Sequence, residues 1–247
     1  MEKAQIHCML DLMISLRDAT TGLAVDERNV SFKVEGENIA ATAKGEGCYV
    51  FLNIGREDRL MQIEVYGYEP VSLNVKYEEL DKVMPMADVF LIPSENSKLG
   101  KDCLTLKGKL SGIKEITAIH PGRPVATVRE LDVKKRILTL FLPNRRINLT
   151  DVGYGVYNAE KNTFEELEVL EELSEKKVRL RKNPDDEFPT NSPIFRIIRG
   201  QVNEDGSYLL KVRNDGKKLK FLVKYIVDGE KRYKTIDFLA EKIESLD

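Results

Sequence analysis

The chain alternates apolar and polar positions over short runs, the period expected of half-buried strands. Cys8, Leu10, Leu12, Ile14 and Leu16 fall on one face of an extended segment, which ends in the turn-forming cluster Arg17-Asp18-Ala19-Thr20-Thr21-Gly22. The same pattern predicts strands at 30–34, 48–52, 60–66, 71–75 and 87–92, separated by Gly-rich and polar turns. Strands this close together leave no room for crossover helices, and the spacing predicts an antiparallel β-sandwich of the seven-strand type. The polar stretch 94–101 then reads as a linker, so two domains are expected: a sandwich at 1–95 and a second β-rich domain at 102–247.

In the second domain, 104–110, 115–119 and 136–142 have strand character, interrupted by Pro121, Pro124 and Pro143. Segment 164–173 fits two periods. Leu167, Leu170 and Leu173 share a helical face, whereas Leu167 and Val169 also fit a strand; a short helix is expected. Proline and acidic residues make 182–189 a loop. Four strands at 194–202, 208–213, 219–227 and 233–238 are punctuated by Asp205-Gly206, Asp215-Gly216 and Asp228-Gly229, turns whose residues tolerate positive φ, which predicts a four-strand meander. Within it, Leu219, Phe221, Val223, Tyr225 and Val227 form a core face, and Leu222 and Ile226 share the other face with Lys220 and Lys224, a mixed face expected to be partly covered. A short helix is expected to close the chain at 239–247. The fold class is therefore all-β, with one or two short helices.

The first domain resembles the carboxypeptidase-regulatory-like, or transthyretin-like, family over roughly residues 6–93. The resemblance rests on Asp18-Ala19-Thr20-Thr21-Gly22, similar to the family's D-x-x-T-G turn. Gly45-Glu46-Gly47-Cys48-Tyr49-Val50-Phe51 is similar to its G-x-Y-x-F strand start, and Gly67-Tyr68-Glu69 to its G-Y turn. Leu23-Ala24-Val25 stands where the family more usually has a proline-containing turn. The resemblance implies an accessory module without catalytic activity.

Charge adds little to this picture, since 39 Lys and Arg against 41 Asp and Glu leave a formal net charge of −2, too weak a field to recruit nucleic acid. No stretch approaches the roughly 20 apolar residues of a membrane-spanning helix. The first residues carry neither a basic n-region nor an apolar h-region, so no signal peptide is expected. Cytoplasmic synthesis follows, compatible with release inside a particle. Cys8, Cys48 and Cys103 lack metal-site spacing and are expected as free thiols, a Cys8 to Cys48 bridge being the alternative.

Candidate chemistry is sparse. His7 and His120 are the only histidines and lie far apart; the first falls on the wet side of its strand and the second in a turn. Asp185-Asp186-Glu187 lacks the alternating ligands of a calcium loop. Glu165, Glu166, Glu168, Glu171, Glu172 and Glu175 read as a solvated face, and Lys176-Lys177-Val178-Arg179-Leu180-Arg181-Lys182 as a strand with one charged side. Gly153-Tyr154-Gly155 reads as a turn. No Walker or G-x-G-x-x-G string occurs. No residue is thus assigned a catalytic, cofactor-binding or metal-ligating role, no cofactor is expected, and the chain is expected not to be an enzyme. The expected function is structural, a noncatalytic assembly protein contacting other protein chains, such as a component of a phage tail or contractile-injection particle. The alternative is a cell-surface adhesin or carbohydrate-binding sandwich, made less attractive by the absence of Trp among 9 Tyr and 9 Phe.

Overall fold

The computed structural model describes residues 9–26, 29–122, 124–142, 153–185, 188–214, 219–238 and Leu246. The chain divides into two compact units, Met1–Lys101 and Asp102–Asp247. The first contains β1 (Leu10–Asp18), β2 (Val30–Val34), β3 (Glu37–Asn38), β4 (Thr42–Gly45), β5 (Cys48–Leu52), β6 (Arg59–Val65), β7 (Val71–Val75) and β8 (Met86–Leu91). They form two four-stranded sheets, β4-β5-β1-β8 and β3-β2-β6-β7. Leu12, Ile14, Leu16, Phe51, Val89 and Leu91 of one sheet meet Phe32, Met61, Ile63, Val65 and Val75 of the other in a common core. The period-two pattern thus yields the sandwich. It did not register β3 and β4, whose residues are exposed and show no alternation to read. Pairing is antiparallel except between β1 and β8, which run parallel from Met13 opposite Met86 to Asp18 opposite Leu91.

The central strand β1 ends in buried carboxylates. At its end, Asp18 Oδ1 accepts hydrogen bonds from the amides of Thr20 (2.8 Å) and Thr21 (3.0 Å) and from the Thr20 hydroxyl (2.5 Å). Tyr68 Oη donates to Asp18 Oδ2 at 3.2 Å. Local carboxylate-to-amide bonds of this kind fix a turn without help from a sheet. At its start, Asp11 is fully buried although alternation alone would leave it on the wet side. The β1–β5 register shifts between Leu10 and Leu12, so Asp11 is the extra residue of a bulge. The β4–β5 turn approaches β1 closely: Gly47 has φ +72, and a Cβ there would lie 2.4 Å from the Leu16 carbonyl oxygen.

The second unit contains β9 (Cys103–Lys109), β10 (Ile113–Ile119), β11 (Ala126–Asp132), β12 (Ile137–Phe141), β13 (Tyr154–Asn158), β14 (Thr163–Glu166), β15 (Val169–Ser174), β16 (Lys177–Leu180), β17 (Pro193–Arg196), β18 (Ile198–Arg199), β19 (Gln201–Val202), β20 (Ser207–Arg213), β21 (Leu219–Val227) and β22 (Glu230–Phe238). Its sheets are β18-β10-β21-β22, the seven-stranded β14-β13-β17-β11-β12-β16-β15, and β19-β20-β9. Among the last strands β19 pairs with β20 and β21 with β22, as in a meander, but β20 pairs next with β9 and β21 with β10, so the two pairs belong to different sheets. Asp228 and Gly229, at φ 52 and 84, form the tight turn between β21 and β22. Asp215-Gly216 and the expected helix at 239–247, Leu246 apart, lie outside the described residues.

Two local expectations change. Residues 164–173 are not helical: β14 and β15 take them, because Phe164 and Leu167 are buried while Leu170 and Leu173, needed for a helical face, remain exposed. Gly153-Tyr154-Gly155 is no turn but the start of β13, with Tyr154 in the core. The mixed face of β21 is partly covered, as expected: Leu222 packs with Ile119, Phe164, Phe195 and Ile197, while Lys220 stays exposed and Ile226 half-buried. The buried Lys224 on that face reaches Glu115 Oε1 at 2.9 Å and lies 5.8 Å from the Phe164 ring centre. Cys48 and Cys103 are half-buried; burial pushes the Cys48 thiol up, and Lys44 opposes the shift.

Two glycine substitutions separate backbone strain from steric exclusion. At Gly36, with φ +85 and open space around a Cβ, alanine should cost about 1–2 kcal/mol from the left-handed conformation alone. Gly47→Ala, which also meets the Leu16 carbonyl, should cost about 3 kcal/mol or more in urea unfolding. Equal losses at the two positions would contradict the packing described.

Candidate functional site

The charged runs of the second unit are one another's partners. β15 and β16 are neighbours, and Arg179 pairs with Glu171 across them. Lys182 Nζ lies 3.0 Å from Glu168, Arg199 pairs with Glu166, and Glu165 accepts the Asp185 amide at 2.8 Å. Asp185 in turn sits 3.1 Å from Lys231, which holds its carboxyl below the usual range. The glutamates are therefore not only a wet face, and two cations of the basic run, Arg179 and Lys182, are neutralised by them; Asp186 and Glu187 lie outside the described residues. His120 stands at the end of β10, where its Nδ1 accepts the Gly122 amide at 3.1 Å and its ring lies 5.0 Å from that of Phe221. These contacts make it a turn residue. His7 and Cys8 lie outside the described residues. Among the described residues, no group of three or more His, Cys, Asp and Glu is placed to hold a metal ion, and no helix is long and apolar enough to cross a membrane.

A different feature emerges in the first unit at the start of β1. Five large apolar side chains are exposed there: Met9 (56%), Leu52 (41%), Val83 (86%), Met84 (52%) and Met86 (41%). Register brings them together, since Leu10 pairs with Leu52 on one side of β1 and Met13 with Met86 on the other. The Met13 amide donates to the Pro85 carbonyl at 2.8 Å, which sets the turn before β8 against β1.

Buried and charged groups hold this apolar tip in place. Asp11 Oδ2 accepts the amides of Ile54 (2.8 Å) and Gly55 (3.1 Å), fixing the loop after β5. Asp11 Oδ1 faces the Arg56 guanidinium, with Nε 3.8 Å away. Arg56 donates to the carbonyl oxygens of Leu10 (2.8 Å) and Lys82 (3.0 Å), tying two chain segments to one side chain. Asp81 Oδ1 accepts the amides of Val83 and Met84, both at 2.8 Å, closing the turn that presents them. Alongside, Arg59 donates to the Ile54 and Gly55 carbonyls and lies 5.9 Å from the Tyr77 ring centre. Burial pushes the Tyr77 phenol up; Arg59 opposes this and Asp11 adds to it.

Such a tip is suited to binding an apolar surface rather than to chemistry. Asp81 and one oxygen of Asp11 are engaged by backbone amides, the other oxygen of Asp11 faces Arg56, and the exposed side chains are hydrocarbon and thioether. Methionine adapts to irregular partners, and contiguous exposed apolar patches mark interaction sites on folded proteins. Sequence reading passed over it because period-two analysis discards loops. The signal was nonetheless present: Val83-Met84-Pro85-Met86 is an apolar run inside a turn, directly after Asp81-Lys82.

No protein-family model matches the chain, and no curated protein matches it. Among solved structures, the extracellular domains 3-5 of Drosophila OTK align at 10% identity with a TM-score of 0.14, over 97% of this chain and 65% of that one. A likeness of that size carries no argument about fold or function.

Removing the guanidinium should loosen the tip more than the sandwich. Arg56→Ala is expected to lower stability by about 1–3 kcal/mol and to speed hydrogen exchange around 81–86 about tenfold, with the β2–β6 amides changing only in proportion to global stability. Unchanged exchange at 81–86 would show that Arg56 does not order this turn.

Proposed function

We propose that the chain is a noncatalytic assembly protein whose first unit, a sandwich of the carboxypeptidase-regulatory-like kind, docks onto other protein chains through the apolar tip at the start of β1. The observation that carries this reading is the exposure of Met9, Leu52, Val83, Met84 and Met86 on loops fixed by Asp11, Arg56 and Asp81. An ordered loop loses little conformational freedom on binding, so more of its burial free energy becomes affinity.

Magnitudes favour a multivalent setting. Fully burying such a side chain is worth about 1.5–3 kcal/mol, and these five are already partly covered. Their sum is comparable to the roughly 4–15 kcal/mol cost of association. One tip alone therefore gives weak binding, and a lasting complex needs several contacts at once, as in a particle with many copies. Assembly in the cytoplasm into a large particle is the setting this reading favours.

Fractionation of the native source with mass spectrometry tests it. The chain should run with a large assembly, and a Val83→Asp, Met84→Asp double variant with an unchanged unfolding midpoint should be lost from that fraction. A native chain found only as a monomer, or a double variant still in the particle, would overturn the proposal.

A further inference from the structure

The Asp18 end of the same sandwich carries a second surface of different character, independent of the apolar tip. A depression of ≈460 Å³ opens there, lined by residues that include Asn29, Ser31, Glu64, Tyr66, Tyr68 and Pro70. It is shallow and open to solvent, a shape that takes one face of a flat ring rather than enclosing a ligand.

The backbone builds it. Gly67, at φ 84, turns the chain between two tyrosines. The Tyr66 amide donates to the Asn29 carbonyl at 3.3 Å, closing β6 against the start of β2. Tyr68 is fixed by its hydroxyl on the buried Asp18 and by a backbone bridge to Pro93. Tyr66, by contrast, is 75% exposed. An exposed aromatic ring beside a rigid one is unexpected in a chain whose other aromatics largely serve the cores.

Polar groups complete the lining. Glu64 is held by Lys33 at 2.7 Å through Oε1, leaving its other oxygen to accept. The Ser31 hydroxyl donates to Asn38 Oδ1 at 3.2 Å and so keeps its lone pairs as acceptors. Asn29 adds an exposed amide that both donates and accepts. One apolar ring with hydrogen-bonding groups around it complements a pyranose, which has an apolar C–H face and hydroxyls radiating around its rim. A proline-rich peptide would ask for a longer run of aromatic ridges. The Glu64 carboxylate disfavours an acidic sugar.

We propose that this depression binds one pyranose ring of a neutral hexose or N-acetylhexosamine saccharide, stacked on Tyr66 and hydrogen-bonded by Asn29, Ser31 and Glu64. The chain contains no Trp among its 9 Tyr, so a change in tyrosine fluorescence on binding is readable and is assigned to the site by its loss in Tyr66→Ala. Maltotriose, cellotriose and chitotriose should be titrated into the full chain. At least one should give a saturable change, weakened tenfold or more by Tyr66→Ala and by Asn29→Ala at unchanged unfolding midpoints. The Val83→Asp, Met84→Asp variant should bind as the parent does, separating this site from the tip. No saturable response to any of the three, undiminished binding by Tyr66→Ala, or saturable binding of a proline-rich decapeptide in place of the sugars would overturn the assignment.

Discussion

Two carboxylates buried at the two ends of one strand hold the first unit in its working shape. An isolated carboxylate is costly to bury, and the cost is offset only when donors surround it. Asp18 gathers two amides and two hydroxyls, while Asp11 gathers two amides and faces a guanidinium. Because β1 lies between β5 and β8, each carboxylate governs more than its own loop. Asp11 sets the loop after β5 and, through Arg56, the turn before β8. Asp18 sets the turn after β1 and the hydroxyl of Tyr68, hence one wall of the polar depression. The apolar tip and the depression stand at opposite ends of the same strand.

The second unit solves a different problem. Strand β21 is covered on both faces around Leu222, so the neighbouring Lys224 is buried, and it is accommodated by Glu115 on the adjacent strand and by the Phe164 ring. At the edge of the seven-stranded sheet, β15 carries two register shifts against β16 and the two glutamates Glu171 and Glu172. Bulges and charges of this kind keep an edge from pairing with another chain. That edge is thus built against association, whereas the tip of the first unit presents methionine, valine and leucine to the outside.

Much of the architecture was legible because burial on one face of a strand imposes a period of two, as in Leu12, Ile14 and Leu16. The Asp228-Gly229 turn was legible from its φ requirement. What escaped had physical reasons. β3 and β4 are exposed and leave no alternation. Segment 164–173 satisfied a helical and an extended period at once, and pairing with β13 and β16 decided between them. Asp11 looked like a solvated residue because a bulge, which no periodicity anticipates, turned it inward. Tyr66 and Val83-Met84 lay in plain view, but only the fold shows that one is exposed beside a depression and the others beside Met9 and Leu52. Charge runs were visible too, yet their mutual pairing depends on strand order.

The account turns on whether the tip of the first unit meets another chain. Lys82 is exposed directly beside Val83 and Met84, which makes amine cross-linking of the native source, read by mass spectrometry, the most direct measurement. The account predicts that intermolecular cross-links concentrate at Lys82 and join it to another protein chain. Intermolecular links confined to lysines of the second unit, with Lys82 modified but never joined to another chain, would contradict it.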